Sequence, residues 1–493
     1  MIAQHFPILQ VVLPLLAAPV MVLLRSGRLA WALATAVSWA ALGIALSLLA
    51  QVADGGVISY AIGSWPPPWG IEYRIDRVNA FVLVLVSLIA AVVIVYSRAS
   101  VAAEVPEEQH YLFYTMYALC LAGLLGIAAT GDGFNLFVFL EISALSTYVL
   151  IAMGRDRRAL MASYQYLIMG TIGATFIVIG VGLLYLMTGT LNLADMALRL
   201  REVDEARPVL AALAFITVGV SLKLALFPLH LWLPNAYAYA PSAVTAFLAA
   251  TATKVSVYVL LRFYYSVFGE SAVFAALPMG RILLVLSLAA MFIASTVAVF
   301  QNDIKRMFAY SSVAQIGYIT LGVSLDSTTG LTAGIVHLFN HALTKGALFL
   351  LLGGIALRLG GVRFDNIGGI ARVMPVTSFG IVLGGLSLIG VPGTVGFVSK
   401  WYLVLAAFER GAWWLALLIV LSSLLAVIYV WRFVEAAYFR EPGDAVAKFK
   451  EAPASMLVPA WFMVVGCIYF GLDTGLTVGG ASQAAAELLG SGR

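Results

Sequence analysis

The chain has 493 residues, 62% of them hydrophobic and 11% charged, with a net charge of +4 and a mean hydropathy of +1.00. Those values lie outside the range of soluble globular domains. The weak charge, with no Lys/Arg cluster interleaved with aromatics, also removes nucleic acid as a partner and leaves the lipid bilayer as the expected medium.

About 20 apolar residues carry a helix across the hydrocarbon. Fourteen such runs occur, continuous rather than alternating, so the expectation is an all-α membrane protein of about 14 transmembrane helices rather than a barrel. The first two are 7–25 and 29–51. No Lys or Arg precedes the first, so a retained span is expected rather than a cleaved signal peptide. Spans three to six follow at 78–97, 111–129, 133–153 and 162–188, and the fifth carries Glu141 at its middle with no cation on its own helix. That carboxyl must find a partner elsewhere or stay protonated.

The seventh run, 209–238, is not a plain helix, because Pro228 removes an amide and clashes with the carbonyl of Leu224, and Pro234 follows within two turns. Lys223 stands one turn before the break, where freed carbonyls favour a cation. Lys254 is central in the eighth run, 243–265, and the ninth and tenth are 281–301 and 307–325. In the eleventh, 330–358, His337, His341 and Lys345 recur every four residues and share one helix face. The twelfth, 376–408, is broken at Pro392, which acts on Leu388 among Gly390, Gly393 and Gly396, and Lys400 follows two turns later. The last runs are 413–438 and 453–472, and the polar stretches between runs are loop-sized, so residues 1–493 read as a single membrane domain.

Breaks at membrane depth are tolerated where protein or water re-satisfies the freed groups, and paired breaks point to inverted repeats around an ion path. Here they fall five spans apart, the spacing a duplicated five-helix unit would give. The basic loops at Arg25 and Arg28, Arg155 to Arg158, Lys305 and Arg306, Arg358 to Arg372 and Arg440 to Lys450 all fall on one side. The positive-inside rule makes that side cytoplasmic and puts both termini outside, although Glu104, Glu107 and Glu108 break the pattern.

Charges at the middle of a span cost about 2.5 kcal/mol or more each and usually mark ion pathways. Burial lowers a lysine pKa and a nearby carboxylate raises it again, so moving the carboxylate toggles the lysine, while histidine titrates near neutrality unaided. Glu141, Lys223, Lys254 and Lys400, each central on a separate span, therefore read as a proton relay with His337. For His341 and Lys345 a tie between helices is as good a reading as a direct role. Leu338 stands where a zinc protease would need its Glu and no third ligand is evident, so no metal site is expected at the histidine pair. Cys120 and Cys467 read as buried thiols, Arg262, Asp303, Arg432 and Glu435 as interfacial charges, and no redox cofactor is implied.

The segments GDGFNLFVFLEISALSTYVLIA, LKLALFPLHLWLPNAYAYAPSAVTAFLAATATKVSVYVLLR, NDIKRMFAYSSVAQIGYI, HLFNHALTKGALFLLLGG and GVPGTVGFVSKW resemble the antiporter-like subunits shared by Mrp-type multisubunit cation/proton antiporters and the proton-pumping arm of respiratory complex I. The likeness runs from about residue 70 to 440, and the fifth and sixth spans are most similar to the D subunit of Mrp antiporters. It implies fourteen helices with two inverted five-helix repeats, the fourth to eighth and ninth to thirteenth spans (about 111–265 and about 281–438), each with a broken helix. It also implies a Glu141–Lys223 pair, a bridging Lys254, His337 with His341 at the eleventh-span position, and Lys400 as the terminal lysine. The function implied is proton translocation within a Na+(K+)/H+ antiporter of the cell membrane, with other membrane subunits as partners. The alternative is the same wire in an NADH:quinone oxidoreductase or a membrane-bound hydrogenase.

Overall fold

The computed structural model describes residues 3–54, 56–275, 277–443 and 446–490. In chain order, α1 (Phe6–Leu24) and α2 (Gly27–Val52) lead into a hairpin of β1 (Ile58–Ala61) and β2 (Glu72–Ile75), then α3 (Arg77–Glu104), α4 (His110–Ala129), α5 (Gly133–Ala152) and α6 (Arg158–Thr188). A short α7 (Leu193–Arg199) precedes α8 (Ala206–Leu224), α9 (Trp232–Tyr239), α10 (Ser242–Ala250) and α11 (Ala252–Leu261). The second half runs through α12 (Met279–Ala289), α13 (Ser295–Val299), α14 (Ile304–Ser324), α15 (Thr328–Leu359), α16 (Pro375–Ile389) and α17 (Val395–Glu409). It ends with α18 (Trp413–Val434), α19 (Ala454–Leu472) and α20 (Gly475–Leu488).

Twelve helices among the described residues are long and apolar enough to cross a membrane, which makes this an all-α, multi-pass membrane protein. The other two expected spans fall on α14, whose start carries Lys305 and Arg306, and on α16 and α17, each too short by itself. The polar stretch after α2, loop-sized by sequence, folds as an antiparallel hairpin with Ile58 opposite Ile75 and Ala61 opposite Glu72.

Helix starts follow side-chain caps. Asp76 makes a capping box with Asn79 at α3, Asp132 accepts from Asn135 N at α5, Asp303 from Arg306 N at α14, and Ser327 from Gly330 N at α15. The breaks are as local. α8 stops at Leu224, where Ala225 takes a left-handed conformation (φ 59°), and helix resumes at Trp232. α16 stops at Ile389, where Gly390 (φ 91°) and Gly393 (φ 86°) supply the left-handed turns, and α17 starts at Val395. A third break lies at Thr251 (φ −124°, ψ −58°), which has neither Pro nor Gly; its hydroxyl bonds back to Phe247 O at 2.7 Å, competing with the helix ladder.

One small ladder occurs twice. Gly133 N donates to Leu191 O and Leu193 N to Gly131 O, and the same two bonds run from Ile304 N to Val362 O and Phe364 N to Asn302 O, every partner moved on by 171 residues (133 to 304). The first ladder lies against the hairpin, since Gly131 N donates to Glu72 O. The second lies on the opposite face. From the far end of α5, Arg155 N reaches Glu104 O, Glu104 takes Ser242 N, and Ser242 takes Lys305 Nζ, next to Asp303. On that same face Arg158 stacks on Tyr239, so the basic loops gather there.

At the centre stands α15, buried without interruption from Gly330 to Ile355 and packed on α3, α10, α14, α16, α17 and α19. α18 and α6 lie outside it and expose apolar stripes, such as Leu417, Val420, Leu424 and Ile428, of the kind lipid covers.

Candidate functional site

Glu141 finds its partner on another helix. Its Oε1 stands 3.7 Å from Lys223 Nζ, with the lysine side chain 5% and the glutamate side chain 22% exposed. Neither of these two atoms makes a hydrogen bond among the described residues, so the contact is an ion pair alone. At this separation the attraction is about 4 kcal/mol for an effective dielectric near 20, against which desolvation of both charges works, so the pair is poised rather than locked. The freed carbonyls do not hold Lys223, contrary to the expectation from its place before the break. Leu222 O takes Trp232 Nε1 at 2.9 Å instead, a donor supplied by the half-helix beyond the break.

From Lys223 a cavity of about 20 Å³, walled by Leu124, Ile127 and Leu140 as well as by Ser143, Thr147, Tyr166 and Ser256, reaches Ala252 at the start of α11. That is room for one water with several partners. Two residues on, Lys254 turns back to the end of α10 and donates to Ala249 O and, at 3.3 Å, to Thr253 Oγ1. The Thr251 break thus supplies the carbonyl that a continuous helix would have used internally.

Lys254 is close enough to act electrostatically on His341, His337 and Lys345 of α15. His341 has no hydrogen-bond partner on either ring nitrogen among the described residues and stacks against His337, centroids 6.1 Å apart. His337 is bonded at both nitrogens, Nε2 to Gln315 Oε1 at 2.9 Å and Nδ1 to Ser399 Oγ at 2.7 Å. A carboxamide oxygen only accepts, so Nε2 carries the proton of the neutral ring and Nδ1 accepts from the Ser399 hydroxyl. A second proton on Nδ1 turns that hydroxyl to its other acceptor, Gly396 O at 3.4 Å, so both charge states of His337 are satisfied.

Next along α17, Lys400 donates to Leu388 O (2.8 Å), Ile389 O (3.0 Å) and Ser423 Oγ (2.9 Å), with its ammonium 4.6 Å from the centre of the Tyr318 ring. Leu388 O is the carbonyl that Pro392 is expected to free. Gly390 is required, since a Cβ there would stand 2.9 Å from Lys400 Cδ as well as at positive φ. Lys345 is placed differently. It donates to Phe308 O (2.7 Å) and Ser311 Oγ (2.5 Å), binding α15 to α14, so the helix-tie reading keeps its force there.

Of the seven expected residues, Glu141 pairs with Lys223 and His337 stacks on His341, Lys254 and Lys400 reach the histidines only through space, and Lys345 is tied to α14. Sequence reasoning missed Gln315, Tyr318, Ser399 and Ser423, which are neutral and carry no signal in a span. It also missed His230, buried in the α8–α9 break with Nδ1 unpartnered and legible as a histidine between two prolines. Arg262 and Arg432, expected as interfacial charges, have fixed partners at their helix ends. Arg262 pairs with Asp76, and Arg432 donates to Val299 O and Gln301 O, because helix ends packed inside protein offer fixed partners.

Apolar helices of membrane length around buried titratable groups define the class as a multi-pass membrane protein with a charged interior. The chain belongs to the NADH:quinone oxidoreductase/Mrp antiporter transmembrane family, whose family model matches residues 130–426. It is 43% identical to NADH-quinone oxidoreductase subunit N of Desulforudis audaxviator, over 95% of this chain and 96% of the relative. It is 28% identical to the D subunit of the Na(+)/H(+) antiporter of Bacillus subtilis, over 99% and 97%. Among solved structures it superposes with TM-score 0.89 on a chain of the Mrp complex from Dietzia sp. at 27% identity, covering 99% of this chain and 98% of that one. A chain of the archaeal membrane-bound sulfane sulfur reductase also gives 0.89, at 30% identity and with 98% and 97% covered.

Proposed function

We propose that this chain is the proton-translocating subunit of a multisubunit monovalent cation (Na+/K+):proton antiporter, with Glu141, Lys223, Lys254, His341, His337 and Lys400 as its relay. The observation that carries the reading is the Glu141–Lys223 contact, an ion pair without hydrogen bonds beside a water-sized cavity that leads toward Lys254. When the pair closes, Lys223 holds its proton. When it opens, desolvation drives the proton off and through water to Lys254. His341 and His337 pass it on by gaining a proton on one nitrogen and losing one from the other, and Lys400 is the last station. Lys345 serves mainly to hold α15 against α14. Sodium is a poor occupant of the pair, because one carboxylate beside an ammonium offers too few oxygens to a hard cation.

The repeated ladder, placed once on each face, supports two inverted five-helix units, about 111–265 and 281–438. The gathering of Arg155 to Arg158, Lys305 and Arg363 on one face supports a cytoplasmic side there, with both termini outside, in the cell membrane. Lys223→Ala should abolish proton translocation by the assembled complex in proteoliposomes; an assembled variant that still pumps would refute the relay.

A second reading, the same relay in a redox-driven complex, is favoured by the likeness to the oxidoreductase subunit from Desulforudis and to the archaeal sulfur reductase. Purifying the native complex separates the two, since small antiporter subunits support the first and iron-sulfur or flavin subunits the second.

A further inference from the structure

The Glu141–Lys223 pair is spanned a second time, by aromatic rings. Trp232 opens α9 just past the first break and is 2% exposed. Its indole lies flat on the Tyr166 ring of α6, centroids 3.9 Å apart and planes 4° from parallel. Tyr148 of α5 meets the Tyr166 ring edge-on at 4.8 Å, with its hydroxyl against Gly170 of α6. Glu141 lies seven residues before Tyr148, two turns away and on the same face of α5. At the far end of the stack the Trp232 N–H reaches back across the break to Leu222 O. Among the described residues this is the one side-chain hydrogen bond made to the last turn of α8, residues 221–224. Rings and bond together join the helix of Glu141 to the residue beside Lys223. At the other break the helix-end carbonyls have gone to the lysine instead: Leu388 O and Ile389 O both take Lys400.

We propose that Trp232 is a positioning residue that keeps Lys223 on Glu141, and that the ion pair opens when the indole leaves Leu222 O. The proposal rests on the relay reading above. With the indole in place, the end of α8 has one carbonyl fewer to offer a cation, and Lys223 is left to the carboxylate. When the indole leaves, Leu222 O returns its partial negative charge to the helix end, one residue from Lys223, and competes with Glu141 for the ammonium. Besides Glu141, the titratable side chain beside Lys223 is that of Tyr166, on the wall of the same cavity. The stack decides between the two states. An indole that slides off Tyr166 also loses Leu222 O, so a shift of α5 or α6 reaches the pair through the rings. α6 touches α8 directly as well, since a Cβ on Gly173 would stand 3.0 Å from Gly219 O and 3.5 Å from Lys223 Cγ, and the movement is passed on without slack.

The test uses the intact complex in proteoliposomes, with the initial rate of proton translocation followed from about pH 5 to about pH 9. Trp232→Phe keeps a ring to stack on Tyr166 and removes the donor. Lys223 then spends less of its time on the carboxylate and needs more acid to load, so the alkaline fall of the rate is expected about one pH unit lower, a loss of about tenfold on that limb. Tyr148→Leu removes the far ring and leaves every group around Lys223 in place; it is expected to move the limb the same way by less. A merely structural loss would scale the rate by one factor at every pH. If Trp232→Phe fails to assemble, Tyr148→Leu decides alone. An unmoved limb, with Lys223→Ala inactive, overturns the positioning role and spares the relay; a pumping Lys223→Ala overturns both.

Discussion

The two broken helices hold their lysines by different means. At the α8–α9 break, Lys223 faces the Glu141 carboxylate at 3.7 Å and has no hydrogen bond among the described residues. At the α16–α17 break, Lys400 has two helix-end carbonyls, a serine hydroxyl and an aromatic ring, and no carboxylate within ion-pair distance among the described residues. An ion pair between helices dissolves when either helix shifts, whereas carbonyls cannot leave the end of their own helix. The proposed mechanism accordingly places the switch at Lys223 and a fixed terminus at Lys400.

Three substitutions test that contrast, and a fourth reads a joint away from both breaks. The largest effect is expected from Glu141→Gln, which leaves Lys223 with no counter-charge; proton translocation should fall at least about 100-fold, and a rate above half of wild type would remove the switch. Gly390→Ala should come next. Its methyl would meet Lys400 Cδ in a left-handed backbone, so translocation should drop about tenfold and the thermal unfolding temperature in detergent should fall with it. The corresponding change at the other break runs the opposite way. Ala225 already holds φ 59°, so Ala225→Gly should relieve about 1 kcal/mol of backbone strain and raise the unfolding temperature. Unequal signs for these two variants are what distinguishes a break built on glycine from one built against alanine.

The smallest effect lies outside the membrane-spanning helices, at the α14–α15 joint. Burial and the neighbouring Glu270 carboxyl push Asp326 up to about 6, with Arg410 opposing. A carboxyl that binds its proton more tightly folded than unfolded makes stability fall as pH rises from about 4 to about 6, with no further loss above. Asp326→Asn should flatten that segment of a detergent melting curve while leaving the pH dependence above 6 as it was; an unchanged slope would mean that the carboxyl is not perturbed.

Much of this was legible because membranes make charge conspicuous. Glu141, Lys223, Lys254 and Lys400 stand out in apolar runs, and the fold sets them on four separate helices. The breaks were legible only in part. Pro228 and Pro392 mark two of them, yet Pro14 and Pro19 sit inside α1 and Pro459 inside α19 without interrupting either helix. Proline therefore breaks a helix here where a left-handed residue joins it. Thr251, with no such marker, was invisible because a threonine back-bond looks like any other threonine in sequence. The satisfied state of His337 depends on Gln315 and Ser399, which lie 22 and 62 residues away, and no local pattern announces them. The hairpin went unread because its strands are four residues each and their pairing with the Thr130 segment is set only in three dimensions.

The proposed relay requires that these groups share one wet axis. A cryo-electron map of the assembled complex, at a resolution that shows ordered water, tests it most directly. Density for water is expected between Lys223 and the start of α11, and again between Lys254 and His341. Apolar side chains filling either gap, with no water between the charged groups, would contradict it.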